Sequence, residues 1–530
     1  MMQFINSYIL IFAFFDTKAT LYAKWTRNAI TLATPVREGY IFKGWFTAAS
    51  GGTQITSSTV IDKNQTIYAQ WNEVPFSTNY GRIEIIWLNE NNTVRDTPNP
   101  PVLTSNGESM TPVTWTEVKN SSGSITSWKE DTTAKSSWYN YIAGTGTNDN
   151  LSSQWANAKT RNGSYFVWIP RYAYRIKYYA SETSNDVSGY CDGYGIRQPS
   201  GTVRYKLDTG IQTVDYNGAK YIVHPAFETN LNTGGWSSDL KGFWFAKYEM
   251  SGSGSITSST NTLKSVPSVS NLMHPSIGEQ YVYSRNANYG YTGRSETTTS
   301  GGTNYTHTSY MNSHLMKSSE WGAVAYLAHS KYGRNGHEID INNSSSYITG
   351  NGGGSPNAAS VSGTANAYNT AKGAKASTTG NVYGIYDMSG GAWESTAVLD
   401  KLGKTDIMNH NLFGQYLTRE AKDSAGNYIS TKYITKYENG NSSGETNIVI
   451  YGVGKNGDIS KEIHKGGEYG ATSTGIYKNW FNDNAGVVSN GYPFAIRGGA
   501  HDNKSDTGLF ACGGSYGFTD NTAFRTVLCP

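Results

Sequence analysis

Four short segments in the second half of the chain narrow the possible folds more than any other part of the sequence. In chain order they are residues 314–321, residues 381–394, Arg497-Gly498-Gly499 and Phe524-Arg525. Gly384, Gly390, Gly498 and Gly499 permit a positive φ or a close approach of neighbouring backbone, which residues with a Cβ resist. These glycines predict tight turns or close backbone contacts in the second and third segments.

The charged residues of these segments are predicted to have structural roles. Asp387 can accept hydrogen bonds from the amides of a turn. Arg497 and Arg525 can pair with carboxylates or backbone carbonyls and so connect loops. In the first segment, apolar residues recur at helical spacing from Trp321 to Ala328, which predicts a helix with Ser318 or Ser319 as its N-cap.

These segments resemble the formylglycine-generating-enzyme family, whose patterns read RLPTEAEW, NxYGLYDMSGNVWEW, RGGSW and GFR. An earlier aromatic strand, residues 243–249, resembles that family's kYEVT segment. The resemblance covers residues 160–528 and implies an α+β C-type-lectin-like domain with short twisted strands, two helices and much loop. Residues 160–530 are therefore expected to form such a domain.

The resemblance does not extend to the family's chemistry. Its oxidase members carry two cysteines a few residues apart just after RGGSW, and thiolates of this kind suit copper(I). Residues 500–505 of this chain contain no cysteine, Cys512 is alone in its region, and Cys529 is the penultimate residue. The related iron-dependent sulfoxide synthases use three histidines of a separate helical domain, whereas the nine histidines here are scattered. The chain is predicted not to be an enzyme and to have no cofactor or metal site; a formylglycine-generating-type oxidase is the alternative.

The last part of this domain, residues 480–528, is similar to the variable region of retroelement-diversified receptor proteins. The similarity lies in Gly508-Leu509-Phe510 and in Phe524-Arg525 with the hydrophobic residues that follow. In those proteins, loops on a rigid scaffold present polar and aromatic side chains to a ligand, as an antibody paratope does. By this analogy, seven residues are predicted to contact a ligand: His501, Asp502, Asn503, Cys512, Ser515, Tyr516 and Asp520. The alternative is that these residues are only solvated and the region is not diversified.

A different module is predicted near the start of the chain. The hexapeptide at residues 20–25, TLYAKW, is followed by a second copy at residues 66–71, TIYAQW, with GYIFKGW and SGGT between them. Repeats at a period of 20–50 residues mark arrays of small units. The segment resembles the Listeria/Bacteroides surface repeat, the internalin B-repeat type, which implies a small β-rich, grasp-like module over residues 26–72. Its aromatic residues are predicted to form the core and inter-repeat contacts: Tyr40, Trp45, Tyr68 and Trp71.

The flanking segments carry less information. Residues 1–25 are interpreted as the tail of a truncated repeat, with a weak signal peptide as the alternative, because the apolar stretch at residues 4–15 is shorter than the roughly 20 residues a spanning helix needs. The export signal is thus expected to be missing from the chain as given. Residues 73–159 are interpreted as a connector with some strand, such as Ile83-Glu84-Ile85-Ile86-Trp87-Leu88.

Composition excludes some kinds of partner. The formal net charge is +3, from 43 basic and 40 acidic residues, and no basic cluster is long enough to bind nucleic acid. Three cysteines allow at most one disulfide. The chain is therefore predicted to be a multidomain, extracellular protein of a bacterial cell surface that does not insert into a membrane. Its predicted partner is a protein or glycan ligand on another cell or on a host surface; a phage or prophage receptor-binding protein is the alternative.

Overall fold

The structure is a computed structural model that includes side chains. It describes residues 40–56, 66–73, 82–131, 136–146, 148–177, 190–191, 212–229, 235–253, 262–273, 276–300, 302–356, 366–410, 414–437, 490–503, 507–517 and 522–530, with single positions 35, 59, 133, 481, 483, 484 and 488. The segment at residues 1–25, predicted to be a truncated repeat or a weak signal, lies outside the described residues.

Strands dominate the described residues, and helices are few. The strands are β1 (Tyr40–Phe46), β2 (Gln54–Ile55), β3 (Tyr68–Glu73), β4 (Arg82–Leu88), β5 (Val94–Arg95), β6 (Thr104–Ser105), β7 (Glu108–Ser109), β8 (Thr111–Lys119), β9 (Ile125–Asp131), β10 (Asn157–Lys159), β11 (Tyr165–Pro170), β12 (Tyr172–Lys177), β13 (Tyr190–Cys191), β14 (Thr213–Tyr216), β15 (Ala219–Val223), β16 (Gly242–Ala246), β17 (Met250–Ser251), β18 (Lys264–Ser265), β19 (Arg294–Ser300), β20 (Thr303–Ser309), β21 (His314–Leu315), β22 (Trp393–Thr396), β23 (Val398–Asp400), β24 (Thr435–Tyr437), β25 (Phe494–Arg497), β26 (Cys512–Ser515), β27 (Thr522–Ala523) and β28 (Thr526–Leu528). The α-helices are α1 (Ile277–Arg285), α2 (Ser318–His329), α3 (Thr405–Met408) and α4 (Gln415–Glu420), and Pro225–Phe227 and Gly373–Ala376 form 3₁₀ turns.

The chain divides into two compact units, Met1–Phe76 with Thr145–Asn148 and Ser77–Gly144 with Asp149–Pro530. The first unit contains an antiparallel three-stranded sheet in the order β2-β1-β3. Trp45, Ile55 and Ile67 form its buried core, and Phe42 packs against them. Alternation of apolar and polar residues along β1 and β3 places one face of this sheet on that core.

The predicted aromatic core of this unit is present in part. Trp45 is buried, whereas Tyr68 and Trp71 are half-buried. The ring of Trp71 lies 5.3 Å from that of Phe42, edge to face. The side chain of Tyr40 lies outside the described residues. The β-rich character expected of this module is confirmed.

The second unit is built on a seven-stranded sheet in the order β21-β28-β16-β11-β10-β8-β9. Its central strands β11 and β16 are buried along their whole length, as expected for strands covered on both faces, which read as continuous hydrophobic runs. Trp168 and Trp244 face each other across these two strands. The short strand β28 lies between β21 and β16, so residues near the end of the sequence occupy an interior position of the sheet.

A second sheet of this unit includes strands from residues 73–159. Strand β4 pairs antiparallel with β12 from Arg82 to Trp87, and β12 also pairs with β15. Strands β8 and β9 form a hairpin that joins the seven-stranded sheet through β10. The segment interpreted as a connector with some strand, residues 73–159, therefore supplies paired strands to the second compact unit, Ser77–Gly144 with Asp149–Pro530.

The longest helix among the described residues forms where the sequence predicts one, but it begins differently. Helix α2 starts at Ser318, and its N-cap is Lys317, not Ser318 or Ser319. The reason is Glu320, whose carboxylate accepts the backbone N–H of Lys317 (2.8 Å) and so closes the first turn as a capping box does. All residues of α2 are buried, and no helix in the described part of the chain is long and apolar enough to cross a membrane.

A strand and a 3₁₀ turn meet at His224. Strand β15 ends at Val223, and Pro225–Phe227 form a 3₁₀ turn. The ring of His224 accepts the N–H of Ala226 (3.3 Å) and caps this turn. Proline at the first position of the turn lacks an N–H to continue the ladder, so the strand stops before it.

Candidate functional site

The four sequence segments meet around the buried indole of Trp321. Its N–H donates to the carbonyl oxygen of Leu509 (2.8 Å). The guanidinium groups of Arg497 and Arg525 lie 5.5 Å and 5.9 Å from its ring centre. Gly498, with φ of 89°, lets the backbone pass so close that an added Cβ would lie 3.1 Å from this ring. The structure thus brings together residues that are far apart in the sequence.

The base of this region is a fully buried ion pair between Arg525 and Glu394. The Arg525 Nε–H donates to Glu394 Oε2 (2.6 Å), and Nη2 donates to Oε1 of the same carboxylate. Arg525 also donates to the carbonyl oxygens of Ala246 (3.0 Å) and Tyr386 (3.1 Å). Burial raises the pKa of Glu394 to about 7, against the opposing attraction of Arg525. The predicted pairing of Arg525 with a carboxylate and with carbonyls is observed.

Two further buried carboxylates hold the loops beside this pair. Asp387, in a left-handed backbone conformation (φ 62°), accepts the backbone N–H of Gly350 (2.8 Å) and the side-chain amide of Asn342 (2.8 Å). Glu249 accepts the N–H of Ala392 (2.9 Å). Burial raises the pKa of both carboxyls, and in Glu249 the nearby charge of Asp387 adds to the effect. These groups fix the loops of residues 342–350 and 387–392 relative to each other.

An outward face lies on the other side of the four-stranded sheet, whose order is β26-β25-β22-β27. Along β22, Glu394 points to the buried ion pair, so its neighbour Trp393 points to the opposite face. Trp393 and Ile496 are both half-buried and lie next to Gly513, whose missing side chain leaves room for them. We call Trp393, Ile496, Gly513 and the adjoining loop 500–503 the outer face.

The loop of residues 500–503 is held rigidly at the edge of the outer face. Asn503 Oδ1 accepts the N–H of Ala500 (2.9 Å) and the indole N–H of Trp393 (3.1 Å). The backbone N–H of His501 donates to the carbonyl of Gly391 (3.0 Å). The imidazole of His501 packs edge-on to the ring of Tyr347 at 4.8 Å. The loop is therefore preorganised, while Asp502 and Asn503 remain exposed.

Two exposed tyrosines lie at the other end of the same strands. Tyr492 is 52% exposed and Tyr516 is 40% exposed. Their ring centres lie 6.3 Å apart. The register that pairs Phe494 with Ser515 places these tyrosines just beyond the ends of β25 and β26. Tyrosine offers a large, rigid contact area with a polar tip, so this pair suits contact with a partner.

The predicted ligand-contact residues divide into three groups. Asp502, Asn503 and Tyr516 are exposed and His501 is half-buried, and Asp520 lies outside the described residues. Cys512 and Ser515 do not lie at the surface, since they are 0% and 5% exposed. Cys512 lies opposite Arg497 of β25 in the buried interior, and the Ser515 hydroxyl accepts the N–H of Gly517 (3.0 Å). Both side chains are therefore packed within the sheet in this structure.

Sequence reasoning missed the aromatic members of this region, Trp393, Tyr347 and Tyr492. Trp393 stands directly before Glu394 in the second segment, and strand alternation around a buried glutamate would have assigned it to the opposite face. Tyr347 comes from a part of the chain whose composition indicates only a long irregular loop. Nothing in the sequence places it beside His501, because the contact depends on tertiary packing.

Comparison with known families identifies one module. Residues 15–70 match the Listeria-Bacteroides repeat domain. This repeat domain is typical of extracellular bacterial surface proteins, and its match agrees with the resemblance seen in the sequence. A comparison with curated proteins finds no match.

Proposed function

We propose that this protein is a bacterial surface protein that binds a ligand through the outer face and the Tyr492–Tyr516 pair of its second unit. The observation that carries the proposal is the contrast between the two sides of one sheet. One side is tied down by the buried Arg525–Glu394 pair. The other presents Trp393, Asn503 and Tyr516 on loops and strands that this pair keeps rigid. Rigid elements with adaptable polar and aromatic side chains are the usual construction of a binding surface.

The second unit is proposed to be a C-type-lectin-like domain of the formylglycine-generating-enzyme type. The convergence of the four family-like segments around Trp321 supports this assignment, because each segment has a structural partner in another. Gly390 donates its N–H to the carbonyl of Gly498 (3.3 Å), which links the second segment to the third. Arg525 links the fourth segment to the second through Glu394.

The same proposal assigns no oxidase chemistry to the second unit. The family's oxidases use two neighbouring cysteines, whereas Cys512 lies in the four-stranded sheet and Cys529 follows β28 of the seven-stranded sheet. Both are buried. A reactive cysteine needs an accessible thiolate, and burial raises the pKa of the Cys529 thiol well above its ordinary value.

Diversification is proposed to act only on positions that are exposed or half-buried. Residues 501–503 and Tyr516 can change without altering the interior, whereas Cys512 and Ser515 are packed within it. Sequencing of the 3′ end of the gene from many isolates should show variation at codons 501–503 and 516 with codons 497–499 and 512 constant. A neighbouring imperfect template repeat whose mismatches fall at adenines would identify the retroelement. A uniform sequence at all of these codons refutes diversification while leaving ligand binding intact.

Ligand binding is tested by replacing one exposed residue at each end of the proposed surface. Fluorescently labelled full-length protein is titrated onto cultured epithelial cells, onto other bacteria and onto a glycan array. Tyr516→Ala and Asn503→Ala are expected to weaken saturable binding by about tenfold or more, as loss of a central contact does. Tyr216→Ala is the matched control, because Tyr216 is 38% exposed but lies on β14 of a different sheet.

The comparison between these variants decides the outcome. Loss of binding in Tyr516→Ala and Asn503→Ala with normal binding of Tyr216→Ala supports the proposed surface. The proposed surface is excluded if all three variants bind as the parent does. It is also excluded if all three variants lose binding to the same extent. Near-ultraviolet circular dichroism of each variant confirms that the fold is unchanged.

A further inference from the structure

A second group of side chains lies apart from the outer face, at the end of the seven-stranded sheet. His314 belongs to β21, Glu320 to the first turn of α2, and Cys529 directly follows β28. One ligand-type atom from each, an imidazole nitrogen, a carboxylate oxygen and the sulfur, lies within 4.8 Å of the others. All three residues are buried. Strand pairing between β21 and β28 sets this arrangement.

The hydrogen bond that Nδ1 of His314 makes leaves Nε2 directed at Glu320. Nδ1 lies 2.7 Å from the carbonyl oxygen of Asn312, which only accepts, so Nδ1 carries a hydrogen. Nε2 lies 3.0 Å from Glu320 Oε1. With a neutral ring, this places a lone pair against a carboxylate oxygen. One proton on either group satisfies this 3.0 Å contact, and a metal ion bound by both atoms would take the place of that proton.

The surroundings resemble the support that metal ligands receive. A ligating histidine usually donates its other N–H to a carbonyl or carboxylate, as His314 does to Asn312. The other oxygen of Glu320 is fixed by the backbone N–H of Lys317 (2.8 Å). The Lys317 ammonium lies 3.8 Å from Glu320 Oε1 and 4.7 Å from the Trp236 ring centre. This cation opposes a metal ion, and burial lowers its pKa.

We propose that His314 Nε2, Glu320 Oε1 and Cys529 Sγ form a binding site for Zn²⁺. Nitrogen, oxygen and thiolate ligands together suit zinc. Ligand atoms around a tetrahedral zinc ion lie about 3.3 to 3.8 Å apart, so the group must contract by about 1 Å at its widest. On binding, the thiol proton of Cys529 and any second proton of the His314 ring leave to solvent, and no electron is transferred. The ion's two charges are then balanced by one carboxylate and one thiolate.

A polar cavity lies beside the neighbours of this site. It has a volume of about 560 Å³, and its lining includes Trp236, Asn312 and Pro530. Asn312 is the residue whose carbonyl orients His314, and Pro530 directly follows Cys529. Trp236 packs against the His314 ring at 5.6 Å. These three lining residues are therefore the immediate neighbours of the proposed ligands.

The bound ion would fasten the end of β28 to β21 and α2. The proposed ligands adjoin the seven-stranded sheet, whereas the outer face belongs to the four-stranded sheet, so zinc binding is expected to change stability and not ligand recognition. This separation also keeps the proposal independent of the proposed function.

The test uses full-length protein in a Cys191→Ser background, so that the two remaining thiols are Cys512 and Cys529. Metal-free protein is titrated with Zn²⁺ in competition with a chromophoric chelator, and with Co²⁺, whose thiolate complexes give a near-ultraviolet charge-transfer band. One equivalent of Zn²⁺, a Co²⁺–thiolate band and a zinc-dependent rise in melting temperature are expected. Cys529→Ser and His314→Gln should abolish the band and weaken zinc binding at least about tenfold, as loss of a supporting or direct ligand does.

Cys512→Ser is the matched control, because Cys512 is also buried but is not part of the group. It should bind zinc as the parent does. Binding unchanged by Cys529→Ser, or no binding by the parent protein, overturns the proposal and leaves His314 and Glu320 as a protonated ion pair. Circular dichroism before metal addition identifies variants that fail to fold. If the ligand variants do not fold, a Co²⁺–thiolate band in the Cys512→Ser protein, where Cys529 is the remaining thiol, supports the proposal when it is present and overturns it when it is absent.

Discussion

Removal of Arg525 is the most informative change to the base of the outer face. In Arg525→Met, two hydrogen bonds to Glu394 and those to the carbonyls of Ala246 and Tyr386 are lost. Glu394 then remains buried without its cation, close to the carboxylate of Asp387. Breaking a buried pair on one side costs about 3 to 5 kcal/mol, because an uncompensated charge is left in the interior.

Replacement of both partners should cost much less than this value suggests. In the double variant Arg525→Met with Glu394→Met, no buried charge of the pair remains. We therefore expect its loss of stability to be smaller than the sum of the two single losses by about 2 kcal/mol or more. Urea unfolding at pH 7.5, followed by tryptophan fluorescence and near-ultraviolet circular dichroism, measures the free energy of unfolding for the parent, the two single variants and the double variant. Strict additivity of the two single losses would refute the argument that the pair acts as a unit.

Three further predictions concern glycine geometry and pH. Gly391→Ala should lower the free energy of unfolding by roughly 1 to 3 kcal/mol, because φ is 72° and the new Cβ would lie 2.8 Å from Glu249 Oε1. Gly426→Ala is the control for backbone strain alone, because Gly426 has φ of 85° with open space around it. If thermal unfolding shows equal losses of stability in the two variants, the close contact at Gly391 is contradicted. Burial and Asp340 raise the pKa of Glu338 to about 8. The folded state therefore binds the carboxyl proton of Glu338 more tightly than the unfolded state does. The stability that this proton contributes is fully present below the ordinary pKa of glutamate and is lost as the pH rises through 8. Glu338→Gln should therefore be more stable than the parent by roughly 2 kcal/mol at pH 9 and similar in stability at pH 4. Glu296 behaves oppositely, because hydrogen bonds from Lys432 and Tyr433 outweigh burial and lower its pKa to about 2. The stability that ionised Glu296 contributes is present above the ordinary pKa of glutamate and is lost as the pH falls toward 2. Glu296→Gln should therefore lower the free energy of unfolding by roughly 1 kcal/mol at pH 7 and change it little at pH 2. A flat pH dependence of either stability difference contradicts the corresponding assignment.

The parts of the fold that follow from local pattern could be predicted. Helix α2 has the apolar spacing of a buried helix, and β4 and β16 are short apolar runs. The hairpin of β8 and β9 could not be recognised, because its exposed residues are mostly Thr, Lys and Glu, which are typical of a connector. Its membership of the second unit depends on pairing with β10, and such pairing leaves no local mark in the sequence.

The candidate site could be predicted at the level of segments and less well at the level of side chains. The glycines and Arg525 identify which segments meet, because their roles follow from backbone geometry and charge. Analogy with variable regions selects Cys512 by its position in the segment, whereas strand alternation turns it inward. The contact of His501 with Tyr347 and the approach of His314 to Cys529 arise only when several sheets and loops are assembled.

The interior position of β28 has a consequence for how the outer face can change. The loops that carry residues 500–517 are encoded before β28, and β28 joins β21 to β16 within the seven-stranded sheet. A frameshift or premature stop in those loops removes β28, which splits the sheet and leaves two strand edges unpaired. Misfolded chains of that kind are open to proteolysis. Correct folding of the second unit therefore depends on a reading frame that is intact through Thr526–Leu528.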